Sequence, residues 1–75
     1  MGLNLPFTEN PMTLEKAREL LQVQISLGSG YNRNSAKLIL AEVQREHGQA
    51  AVDRLIRELD LETAFGFRPG EAIIV

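Results

Sequence analysis

Residues 13–27, TLEKARELLQVQISL, decide how the rest of the chain has to be read. Drawn as a helix, they gather Leu14, Ala17, Leu20, Leu21, Val23, Ile25 and Leu27 into an arc of roughly 200°, wider than a surface helix needs. Glu15, Arg18, Glu19, Gln22 and Ser26 fill the narrow strip that is left. A helix with that apolar girth is expected to be covered on two sides, so the other elements should pack around it. Thr13 stands where an N-cap belongs, and the charge of Glu15 suits the positive end of the helix dipole. Residues 21–27 also alternate strictly, L-Q-V-Q-I-S-L, which is the pattern of a half-buried strand. Nothing between Leu20 and Leu21 would break a helix. The expectation is a mostly α fold, becoming α+β only if residues 21–27 are a strand.

Upstream, residues 1–12 place Leu3, Leu5 and Phe7 between polar residues and prolines. Pro6 and Pro11 exclude a helix interior, so this part reads as an extended arm. Downstream, Gly28-Ser29-Gly30 ends the first helix, and Asn34 or Ser35 can cap a second over residues 35–47. That helix turns Ala36, Ile39, Leu40, Val43 and His47 to one face and Leu38 and Ala41 to the other. Gly48 stops it. A third helix over residues 49–59 carries Val52, Leu55, Ile56 and Leu59 at helical spacing, with Asp53–Arg57 and Arg54–Glu58 expected as i,i+4 pairs. Asp60 restarts a short turn that Gly66 ends, with Leu61, Ala64 and Phe65 folding back on the core. Residues 68–71, RPGE, suit a type II turn. The chain therefore divides into an arm (1–12), a helical core (13–66) and a turn with an apolar tail (67–75). The tail, Ala72-Ile73-Ile74-Val75, is expected to dock, as an edge strand beside residues 3–7 of the same or a neighbouring chain or against the first helix. Its rival is an exposed peptide offered to a strand-adding groove.

The totals limit what such a chain can be. Seventy-five residues make one domain with a marginal core, burying about 60% of the surface of the unfolded chain. No cysteine is present for a disulfide, and one histidine cannot build a structural zinc site. Yet 44% of the residues are hydrophobic, a folding composition. Association is the remaining way to stabilise it. The net charge of −2 comes from interspersed charges, so no basic block offers an electrostatic footprint for nucleic acid. No apolar run approaches the ~18 residues of a membrane span, and the amino terminus lacks a secretory pattern. Pro6 stands where a myristoylation motif wants Ser or Thr. A cytoplasmic protein is expected.

Few residues suggest chemistry. His47, the only imidazole, sits at the end of its helix and reads as a capping or contact residue. Glu42 with Glu46, and Asp60 with Glu62, match no calcium, zinc or paired-carboxylate pattern, and no P-loop, nucleophile elbow or GxGxxG occurs. No catalytic residue, cofactor or metal ligand is expected. A helix-turn-helix fails twice. With Gly48 as the turn glycine, its apolar positions fall on His47, Arg54 and Arg57; with Gly28 they fall on Asn34 and Lys37.

Two features remain. The loop and helix start formed by Gly28, Ser29, Gly30, Arg33 and Lys37 is a candidate anion site, with glycines for close approach and two flanking cations. The apolar surplus of Leu20, Val23, Leu27, Leu38, Ile73, Ile74 and Val75 is a candidate interface. The leading expectation is a non-enzymatic interaction or regulatory module that self-associates, as a dimer, or accompanies a larger protein. An anion-binding or small-ligand module comes second. A dimeric DNA-binding regulator comes third, against both charge and motif.

Overall fold

The computed structural model describes residues 12–28 and 32–74. Four helices account for most of them: α1 (Leu14–Ser26), α2 (Asn32–His47), α3 (Gln49–Leu59) and α4 (Leu61–Phe65). No strand occurs among the described residues, and residues 21–26 are helical, so the fold is mostly α. The alternating pattern gave way because the hydrogen bonds of a helix already under way cost less to extend than a new strand costs to pair.

Thr13 caps α1 with its side chain, accepting from the Lys16 amide at 3.0 Å. At the other end Asn32 closes the helix from a distance. Its Nδ2 donates to the carbonyls of Gly28 (2.6 Å) and Gln24 (3.3 Å). That contact places Asn32 at the start of α2, three residues before the position that the capping residues Asn34 and Ser35 suggested.

α2 packs against both α1 and α3, and α4 folds back onto α3. The core they enclose contains Ala17 and Leu21 of α1, Ala36, Leu40 and Val43 of α2, Val52, Leu55 and Ile56 of α3, and Leu61 and Phe65 of α4. Phe67 joins it at 5% exposure, so the core runs past residue 66, where the sequence pattern ended it. α3 has the bounds its periodicity indicates. Gly48 separates α2 from α3 at φ 92°, a left-handed conformation that glycine adopts without strain. Asp60, at φ 53° and ψ 50°, lies in the left-handed αL region, where a short polar side chain is tolerated.

One expected pair on α3 forms and the other does not. Arg54 Nε reaches Glu58 Oε2 at 3.1 Å. Asp53 instead accepts from the Gly70 amide at 2.7 Å and from Gln49 Nε2 at 2.9 Å, because the turn at 68–71 delivers a backbone donor to its carboxylate. That turn is closed by the Glu71 amide on the Arg68 carbonyl at 3.4 Å, with Gly70 at φ 88° as a type II turn requires. Glu58 also joins α3 to α1, accepting from Arg18 Nη2 at 2.8 Å.

The tail docks, but not where the apolar pattern placed it. Ile73 lies partly buried on the core, and its backbone meets Gln44 of α2. Gln49, at the start of α3, donates to the Glu71 carbonyl at 3.0 Å. Hydrogen-bonding side chains of α2 and α3 select this site, a preference that hydrophobicity alone cannot express. The arm at residues 1–11, the loop at 29–31 and Val75 lie outside the described residues.

Candidate interaction surface

α1 turns about 100° per residue, so residues three and four apart share a side. Ala17 and Leu21 face the core and are fully buried. Leu20, Val23 and Leu27 form a stripe further round the same helix. Leu20 is half-buried, while Val23 is 49% exposed and Leu27 66%. The two-sided covering expected from the wide arc is therefore not supplied by the other described helices. α2 and α3 occupy one side, and the stripe faces outward. Lys16 continues the stripe at its N-terminal end, with a loose salt bridge to Glu19 at 3.8 Å.

The other apolar candidates lie elsewhere. Leu38, 57% exposed, is nearly opposite the buried Val43 on α2. Ile74, 78% exposed, belongs to the docked tail, and Ile73 packs on its own core. The apolar surplus is thus spread over three places, and only the α1 stripe lines up several side chains.

The candidate anion residues are divided as well. Gly28 presents its carbonyl to Asn32, and Ser29 and Gly30 lie outside the described residues. Arg33, in the first turn of α2, is engaged by the end of α4 and the residues that follow it. Its Nε donates to the Phe65 carbonyl at 2.8 Å, and its guanidinium carbon lies 4.6 Å from the centre of the Phe67 ring. The two phenylalanine rings are 6.2 Å apart and tilted by 56°. Arg33 and Lys37 do come together, but with Arg68 of the 66–74 segment and not with Gly28. Phe67 was missed in the sequence because it stands alone between a glycine and a charged residue. The Phe65-x-Phe67 spacing beside an arginine-bearing helix was the only signal of it.

His47 and the Glu42–Arg45–Glu46 group have structural partners. His47 Nε2 meets the Met12 carbonyl at 2.5 Å. Arg45 bridges Glu42 and Glu46, and holds the Glu42 carboxyl below its ordinary value through that hydrogen bond. Among the described residues no three His, Cys, Asp or Glu side chains are grouped to hold a metal ion. No helix among them is long and apolar enough to cross a membrane. Among the described residues, the fold and surface thus define four helices with one aligned apolar stripe. Comparison with family models, curated proteins and solved structures finds no match.

Proposed function

We propose that this protein is a non-enzymatic interaction module of the cytoplasm that self-associates through the outer side of α1. The observation that carries the reading is the stripe of Leu20, Val23 and Leu27, with Val23 and Leu27 both exposed. Together with Lys16 the spacing is four, three, four, which is that of a coiled-coil seam. A second copy suits it better than an unrelated protein. The last turn of α1 holds no basic residue to offset the negative end of its dipole. In an antiparallel pair, Lys16 of each chain meets that end of the other helix. The seam is short, so the dimer belongs to the weak, transient class of interfaces. A larger partner presenting its own amphipathic helix would use the same seam.

Sedimentation equilibrium across the micromolar range tests this. The expected result is a monomer–dimer equilibrium that Val23→Glu or Leu27→Glu shifts to monomer and Leu38→Glu leaves unchanged. A wild-type monomer at every concentration removes the proposal. A dimer sensitive only to Leu38→Glu moves the interface to α2.

A further inference from the structure

Between the first turns of α2 and the 66–74 segment lies a half-open hollow of ≈ 210 Å³, whose rim carries Arg33, Lys37 and Arg68. One carboxylate, Glu71, shares that rim. We infer that this hollow binds a small organic oxyanion, a carboxylate or phosphate group on a short apolar stem. The inference is independent of self-association, since the α1 stripe contributes nothing to the hollow.

The three cations differ in how far they are committed. Arg33 is fixed by its Nε bond to Phe65 and by stacking on Phe67, and its terminal nitrogens have no acceptor among the described residues. A guanidinium held in this way keeps its terminal N–H donors for a further acceptor, a set that suits a planar carboxylate or a phosphate edge. Lys37, one turn further along α2, forms no salt bridge among the described residues. Arg68 has only a long contact to Glu62, 3.9 Å between two exposed side chains, which exchanges readily for a better acceptor. α2 is 16 residues long and has no acidic residue in its first turn, so the positive end of its dipole is not neutralised there.

The remaining walls define the stem. Phe67, Ala72, Ile73 and Ile74 line the hollow, and Ile74 is otherwise left exposed. At ≈ 210 Å³ and half open, the hollow is larger than a bare inorganic anion needs. Glu71 opposes a naked charge and accepts a hydrogen bond from an anion that keeps a hydroxyl.

Titrations of the full chain with phenyl phosphate, inorganic phosphate and butyrate, at constant ionic strength in chloride, test the site by amide NMR. Saturable shifts confined to residues 33–37 and 66–74 are expected, with phenyl phosphate or butyrate binding more tightly than inorganic phosphate. Their ranking decides between phosphate and carboxylate. The double variant Lys37→Gln/Arg68→Gln leaves the core untouched and should weaken binding about tenfold or more. Arg33 stays in place because it also joins α2 to α4. Shifts that are non-saturating or spread over the surface overturn the site, as does binding unchanged in the double variant.

Discussion

The carboxamide of Gln44 meets the backbone of Ile73 with both of its ends: Nε2 donates to the Ile73 carbonyl at 3.0 Å, and the Ile73 amide donates to Oε1 at 2.7 Å. The side chain does for the tail what a neighbouring strand does in a sheet, supplying one donor and one acceptor to a single residue. An apolar tail is thereby fixed in register on a helix, without a β-sheet.

Gln44→Ala leaves both Ile73 groups without their partner in a partly buried position. The expected loss is about 1–2 kcal/mol, read from urea unfolding. Hydrogen exchange of the Ile73 amide should accelerate far more than that of Leu55 in the core. An unchanged exchange rate at Ile73 would show that the tail is held by its apolar contacts alone.

Acid should destabilise the protein through Glu42, which a hydrogen bond from Arg45 holds low, and through two further carboxylates. The Gly70 amide, helped by Gln49, holds Asp53 below its ordinary 3.8, and Arg18 and Arg54 hold Glu58 below 4.5. All three groups bind protons more readily in the unfolded chain. Their stabilisation is therefore complete above the unfolded values and is lost as pH falls through the folded ones. Melting temperature should stay flat from neutral pH to about 5 and drop below about 4. Asp53→Asn, which keeps an acceptor for Gly70, should shallow that drop. An acid limb of the same depth in the variant would assign the loss to other groups.

Much of the fold was legible because the physics is local. Val52, Leu55, Ile56 and Leu59 set the face of α3, Gly48 set its start, and Thr13 set the start of α1. What escaped the sequence depended on partners distant in the chain. Asn32 opens α2 while it bonds to the carbonyl of Gln24 in α1 and to that of Gly28 just beyond it. Asp53 forms no close ion pair with Arg57, and a turn seventeen residues away brings it an amide instead. Arg33 belongs to the aromatic pair of α4 and its exit, although the sequence pattern grouped it with the glycines of the preceding loop. The surplus of apolar residues was readable, but not its division into a stripe, a single leucine and a tail. That division depends on which side of each helix its neighbours occupy.

Gln24 gives the clearest route to a more stable protein. It follows Ala17 and Leu21 at i, i+4, i+7 spacing, so a polar side chain occupies a position on the inner side of α1. Its backbone carbonyl accepts from Asn32, but its side-chain Oε1 is buried with no hydrogen-bond partner among the described residues. A buried acceptor left unpaired costs about 1–3 kcal/mol, because the water it gave up is not replaced. Methionine has a similar length and adapts to irregular gaps, so Gln24→Met removes the orphan atom without opening a cavity. The expected gain is about 1 kcal/mol, seen as a higher urea midpoint at unchanged slope. Gln22→Met, on the exposed side of the same helix, is the matched control and should change little. If Gln24→Met instead lowers the midpoint while the control does not, the Gln24 side chain stabilises the fold and the orphan-atom argument is overturned.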